Sequence, residues 1–279
     1  MKMFTYSAFA DEISPELSIQ ISELKKYRIN HIEARGINGK NISDYTASEA
    51  VEIKKILDDN GFKLSALGSP IGKIKITDDF CPELEKFKNT LELANVFETQ
   101  YIRMFSFFMD TDKTAEYADI VFERWQKYVD AAKGCNIILL HENEKGIYGD
   151  SAANCLNLLK TLNCSYVKAT FDPANFVQCK QNTIEAFDML EDYIEYMHIK
   201  DAVWETGEVV PAGFGGGNIK EIITMLKIKN WNGFLSLEPH LGDFVGFADL
   251  EDGAEIKKTM SGPKQFETAF NAIDKLIKE

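Results

Sequence analysis

A chain of 279 residues that is 45% hydrophobic can build a real core, as two ordinary domains or as one large α/β barrel. Its 31 basic and 44 acidic residues leave a formal charge of −13, which argues against nucleic acid as a partner, because phosphate contacts need clustered Lys and Arg. A small anionic substrate stays compatible with a locally basic pocket.

The five cysteines (Cys81, Cys135, Cys155, Cys164 and Cys179) are scattered without a C-x-x-C pair, as expected of reduced thiols in a cytoplasmic protein. No apolar run approaches the ~20 residues of a membrane helix, so no membrane association is expected. The first eleven residues faintly resemble a signal peptide. Their apolar stretch is short and broken by Thr5 and Ser7, and it reads better as a first strand.

In chain order, Phe4–Phe9 is strand-like, and Ser14 with Pro15 opens a helix to about Tyr27. Asn30–Ala34 is a second strand, ending near Glu33 and Arg35. Ser48 starts a helix that Asn60-Gly61 closes, and Lys63–Leu67 is the third strand. A Gly/Pro loop with two lysines (68–76) leads to a helix from about Pro82 to Val96, then to the strand Tyr101–Phe105. A helix from about Thr114 to Lys133 precedes the apolar run Ile137–Leu140. Beyond it lie a helix from Asp150 to about Leu162, the strand Tyr166–Phe171 and the helix Thr183–Leu190. The chain continues with the strand Ile194–Ile199, the helix Asn218–Lys227, the strand Gly233–Leu237 and a last helix over about Lys264–Ile277.

Eight strand–helix pairs of about 35 residues each, with no linker between them, predict a single-domain α/β fold over 1–279, a (β/α)8 TIM barrel. A dinucleotide-binding fold would need a G-x-G-x-x-G turn, and the chain has none. One connection breaks the rhythm. Pro239–Gln265 is far longer than an ordinary loop and carries Phe244 and Phe247, as in a lid or an oligomer arm over the C-terminal face.

In such barrels the site lies at the C-terminal strand ends. Strands five to eight end in Glu142, Asp172, His198 and Glu238, one metal-ligand type each. Alternation supports the set: pointing these four inward sends Phe171, Met197, Ile199, Leu235 and Leu237 into the helix layer. Three carboxylates and one imidazole suit one divalent ion, Mn2+ best, with Mg2+, Co2+ or Zn2+ as alternatives. Taken singly, a strand-end acid such as Asp172 is as well explained as a helix N-cap. Four in succession are not.

The chain resembles the xylose-isomerase-like TIM barrels, a superfamily of sugar (phosphate) isomerases and epimerases that also includes endonuclease IV. Glu142, Asp172, His198 and Glu238 match the metal set of the ketose 3-epimerases, and the H-x-K-D run His198–Asp201 and the Gly213–Gly217 run are similar to the superfamily. The nuclease reading fails on its own requirements, since it needs a histidine-rich three-zinc cluster and this chain has only four histidines. Asn175 stands where both the nuclease and the 3-epimerases have a substrate-side His, which weakens direct transfer of 3-epimerase activity.

The resemblance implies an isomerase or epimerase of carbohydrate metabolism. It would act on a sugar or keto-sugar, phosphorylated or not, with Glu142 and Glu238 exchanging a proton through an enediolate. The same site would suit a dehydratase or β-eliminase on a keto-inositol or a 3-keto-glycoside. A non-catalytic sugar-binding barrel is the third reading, against which the intact ligand set speaks. Candidate substrate contacts are His240, Lys200, Asn175, Arg103 and Glu33. The structural alternatives are a backbone-bonded loop histidine for His240 and ion pairs for Lys200, Arg103 and Glu33. Gly215–Gly217 reads as a flexible connection, or as a phosphate cradle. Similar barrels are commonly dimers or tetramers, so a homo-oligomer is compatible.

Overall fold

The computed structural model describes residues 4–242 and 260–279; most of the long 239–265 connection, with Phe244 and Phe247, lies outside the described residues. Eight parallel strands form one sheet: β1 (Thr5–Ala8), β2 (His31–Ala34), β3 (Lys63–Gly68), β4 (Tyr101–Met104), β5 (Ile138–Glu142), β6 (Val167–Phe171), β7 (Ile194–Ile199) and β8 (Phe234–Leu237). They pair in the order β1-β8-β7-β6-β5-β4-β3-β2, and β1 packs beside β2 to bring the ends round into a nearly closed barrel. This is the single (β/α)8 barrel that the eight strand–helix pairs predict.

The outer layer is α1 (Leu17–Lys26), α2 (Ala47–Asp59), α3 (Cys81–Phe97), α4 (Thr114–Ala132), α5 (Ala152–Leu162), α6 (Pro173–Gln178), α7 (Thr183–Leu190), α8 (Ile219–Ile228) and α9 (Pro263–Lys278). Two helix starts differ from expectation. Glu16, not Ser14, precedes α1, and the Ser14 hydroxyl accepts from the Glu16 amide in a separate turn. Thr46, not Ser48, caps α2, because only Thr46 has a glutamate three residues on to complete a capping box, with Glu49. The short α6 and two small antiparallel pairs, Gly36–Ile37 with Lys40–Asn41 and Asp201–Ala202 with Val209–Val210, are too brief to leave a periodic signal.

Strand alternation sorts the side chains as expected. Phe171, Met197, Ile199, Leu235 and Leu237 join the continuous apolar layer between sheet and helices. The opposite parity fills the lumen. Ala66, Leu140 and Tyr196, with Tyr101, Ile138 and Phe234, plug its lower half. Hydroxyls of Ser7, Ser65 and Tyr196 bond to one another above the plug. Each register row then carries the polar layer one step higher: Ser236 pairs with His198 on one side and with Ser7 on the other.

Trp125 of α4 ties this layer to the rim. It is fully buried, its Nε1–H donates to the Phe105 carbonyl at 3.2 Å just beyond β4, and its ring meets the His141 imidazole on β5 edge-on. Trp125→Phe, which keeps most of the volume and loses the donor, should cost about 1–2 kcal/mol, and Trp125→Ala about 3–5 kcal/mol, by urea denaturation.

Candidate metal centre

Glu142, the last residue of β5, and Asp172, His198 and Glu238, at or just beyond the ends of β6, β7 and β8, place four ligand atoms within 4.8 Å of one another, all buried. His198 is the hub. Its Nδ1 lies 2.9 Å from Glu142 Oε1, 3.5 Å from Glu238 Oε2 and 3.7 Å from Asp172 Oδ2. Its Nε2 lies 3.2 Å from both Glu33 oxygens, so Glu33 on β2 sits behind the imidazole rather than in the mouth. A carboxylate accepting from Nε2–H leaves the Nδ1 lone pair for an ion, the arrangement that orients ligating histidines in metal sites.

Asp172 serves two ends with its two oxygens. Oδ1 accepts from the Asn175 amide and caps α6, so the N-cap reading holds for that oxygen. Oδ2 is buried, accepts no hydrogen bond, and lies 3.1 Å from the Lys200 ammonium. Proline at the first position of α6 starts the helix at once, which fixes the carboxylate at the strand end.

Cations interleave with the acids. Lys200 bridges Asp172 and Glu238 at 3.1 and 3.0 Å. Arg103 of β4 donates to Glu142 Oε2 at 2.7 Å. Arg35, just past β2, donates to Glu238 Oε1 at 3.1 Å, to both oxygens of Asp11 and to Glu12. His240 Nε2 lies 3.4 Å from Glu238 Oε1 and 3.5 Å from Glu12 Oε1, in a second cluster that shares Glu238 with the first. The Asn175 side-chain Nδ2 donates to the Asn143 carbonyl at 2.9 Å and to Glu142 Oε1 at 3.4 Å.

Every candidate from the sequence therefore converges on one chamber. Arg35, Asp11 and Glu12 belong to it as well. Arg35 shares inward parity with Glu33, a signal in the sequence. Asp11 and Glu12 sit in a 3-10 turn after β1 and give no such signal.

Burial alone would raise the Glu142 carboxyl, but His198 and Arg103 overcome it and hold it near 2. Burial likewise opposes the charge of Glu238, and Lys200 and His240 hold it well below the usual range. Burial would lower His198; Glu142 and Glu33 instead push it well above its ordinary value. The six carboxylates Asp11, Glu12, Glu33, Glu142, Asp172 and Glu238 face three fixed cations, Arg35, Arg103 and Lys200. Three negative charges remain for protons and an added cation to offset. With Asp172 Oδ2 turned into the chamber beside Lys200 and an oxygen-rich donor set, the chamber fits a divalent ion.

Three neighbouring features take other roles. The Gly213–Gly217 run is neither slack nor a phosphate cradle. The amides of Gly213, Gly215 and Gly217, with that of Ala202, donate to the Asp201 carboxylate at 2.8–3.0 Å and fill it. A Cβ on Gly215 would come within 2.4 Å of Asp201 Oδ1, so glycine is required for that approach. His141 faces outward, 2.9 Å from the Ser106 hydroxyl, and burial lowers it to about 4. Glu144, two residues beyond the end of β5, pairs with Lys73 at 3.1 Å.

The family model described as xylose isomerase-like TIM barrel matches residues 22–261. No curated protein sequence matches the chain. Among solved structures, a probable 3-DHS dehydratase from Bacillus anthracis is 17% identical, covering 97% of this chain and 98% of that one, with a TM-score of 0.74. A D-psicose 3-epimerase, crystallised in the presence of D-fructose, is 21% identical over 99% and 100%, with a TM-score of 0.72. A 3-keto-D-glucoside 4-epimerase from E. coli is 13% identical over all of both chains, with a TM-score of 0.71. At these identities they show a shared fold.

Two outcomes test the chamber. Asp172→Asn should preserve the α6 cap yet weaken Mn2+ binding on the order of 100-fold, whereas Asp172→Ala should also lose about 1 kcal/mol of stability. An ion must displace the His198 Nδ1 proton, and that group's pKa is raised, so Mn2+ affinity by calorimetry should keep climbing as pH rises beyond 6.5.

Proposed function

The chain belongs to the xylose isomerase-like TIM barrels, and on that premise we propose that it is a divalent-metal-dependent sugar isomerase or epimerase. The observation that carries the reading is the pairing of Glu142 and Glu238 about the His198 Nδ1, each bonded to its own arginine. Glu142, Asp172, His198 and Glu238 would hold the ion, and their oxygen-rich set favours Mn2+. The ion supplies Lewis acidity toward adjacent substrate oxygens, making the C–H between them acidic enough for a carboxylate to remove.

The rest falls to the protein. Glu142 and Glu238 reach the chamber from strands separated by β6 and β7, so they approach a bound sugar from different sides. One takes the carbon-bound proton and the other returns one, either to the opposite face or to the neighbouring carbon. Arg103 and Arg35 fix the rotamers of the two glutamates, while His198 and Arg103 keep Glu142 ionised and Lys200 and His240 keep Glu238 so. Lys200, charged and 3.0 Å from Glu238, is placed to stabilise the oxyanion of the enediolate. Asn175, beside Glu142, binds a substrate hydroxyl without titrating. Glu33 orients His198, and His240 positions Glu238 from behind.

A second reading rests on Lys200. A cation beside one of the two bases can protonate an oxygen leaving from the carbon next to the one deprotonated, which turns the same site to elimination. The similarity to a probable dehydratase keeps that outcome in view.

Glu142→Gln and Glu238→Gln should each abolish deuterium incorporation from D2O into a substrate drawn from a panel of ketoses, keto-inositols and 3-keto-glycosides. Full exchange in both variants would refute the two-glutamate mechanism. NMR of the wild-type products separates isomers from eliminated species.

A further inference from the structure

Glu238 divides its two oxygens between two sets of groups. Oε2 faces His198 and Lys200 at 3.5 and 3.0 Å, on the side of Glu142 and Asp172. Oε1 lies 3.4 Å from His240 Nε2, and Glu12 Oε1 lies 3.5 Å from the same nitrogen. Glu12, Glu238 and His240 thus form a second buried set, whose ligand atoms lie within 4.8 Å of one another. Local structure holds it in place. His240 adopts φ +45°, a left-handed backbone that a non-glycine residue keeps only where its surroundings over-determine it. Its amide donates to Glu12 Oε2 at 2.7 Å. By donor type alone, two carboxylates and an imidazole would suit a second divalent ion beside the first.

Arg35 stands in that position. Its Nη1 lies 3.1 Å from Glu238 Oε1 and 3.4 Å from His240 Nε2, and its Nη2 lies 3.3 Å from Glu12 Oε1. The guanidinium therefore faces the same atoms that a second ion would use. It is also gripped from other sides. Nε and Nη2 donate to the two Asp11 oxygens at 2.8 and 3.1 Å, and Cζ lies 4.6 Å from the centre of the Phe9 ring.

The cation of the first set differs in kind. Lys200 presents a single ammonium on a flexible stem to Asp172 Oδ2 and Glu238 Oε2. Such a stem can turn aside, whereas a planar fork bonded along two edges and stacked on a ring is fixed. An arriving ion therefore meets a displaceable charge in one set and a permanent one in the other.

We infer that Arg35 is a built-in second cation, whose guanidinium takes the place of a second metal ion among Glu12, Glu238 and His240 and confines the centre to a single ion. The inference rests on the proposed metal-dependent reading for the first ion. It goes beyond that reading in assigning the nuclearity of the centre to one side chain. Arg35 is a positioning residue: it occupies Glu238 Oε1 and leaves Oε2 to the first set.

The test titrates metal-depleted full-length protein with Mn2+ by calorimetry and counts bound metal by elemental analysis after gel filtration. The wild type should take about one ion per chain. Arg35→Met, which keeps apolar volume and removes the charge, should take about two, with the exchange-broadened electron paramagnetic resonance of neighbouring Mn2+ ions. Adding His240→Ala to Arg35→Met should restore about one. Without its cation the second set holds buried acids uncompensated, so metal-free Arg35→Met should melt below the wild type and gain more from Mn2+ than the wild type does. A side chain that only packs would not produce that larger gain.

Two ions in the wild type would overturn the inference. Should Arg35→Met not fold, Asp11→Asn carries the test, since it loosens the grip on the guanidinium and leaves the three ligands in place. It should admit a second ion at millimolar Mn2+, and its failure to do so would overturn the inference. One ion in both the wild type and Arg35→Met overturns the role of Arg35 and leaves the metal-dependent reading standing. No ion in the wild type with one in Arg35→Met does the reverse, and no ion in either overturns both.

Discussion

The arrangement at the barrel mouth depends on one electrostatic constraint: six carboxylates from five of the eight strands converge where their side chains are buried. Buried charge is tolerated only when paired and hydrogen-bonded. Each acid accordingly has a cation or a donor against it, Arg103 for Glu142, Arg35 and Lys200 for Glu238, His198 for Glu33. The pairing falls short of neutrality, and protons or an added cation would offset the remainder. Removing any one cation would leave its partner more costly than the bond it lost, so the chamber behaves as a unit rather than as a list of contacts.

The barrel supplies what this unit needs. Strand alternation sends one parity into the apolar helix layer and the other into the lumen, where a ring-filled plug below excludes water and a hydroxyl layer separates plug from charges. The loops then extend selected strands past their ends. Asp201, seated in the amides of the glycine run, anchors the chain directly after Lys200, and the paired loops after β3, β4 and β5 raise a rigid wall on one side of the mouth.

The four candidate ligand residues were legible because the signal is periodic. Each closes an apolar strand, each has the parity that leaves its neighbours in the helix layer, and the pattern occurs four times. Arg103, Lys200 and Glu33 were legible as inward-facing, but their partners were not. Glu33 could have met substrate as readily as His198 until the packing turned its carboxylate onto Nε2. Asp11 and Glu12 were illegible because they follow β1 in a short turn, and they join Arg35 only when β1 and β2 come together at the barrel's closing edge. The glycine run misled in a different way. Clustered amides bind any anion, and only the fold reveals that the anion is the chain's own Asp201.

By itself the sequence determined the eight-unit barrel, the inward parity of each strand and the set Glu142, Asp172, His198 and Glu238. All of these follow from local spacing, and spacing survives without coordinates. Tertiary structure alone decided which charge faces which, that Asp172 divides its oxygens between a helix cap and the chamber, and that Glu144 pairs with Lys73. These are contacts between residues far apart in the chain. Their partners are chosen by the register and closure of the sheet, which no local pattern encodes.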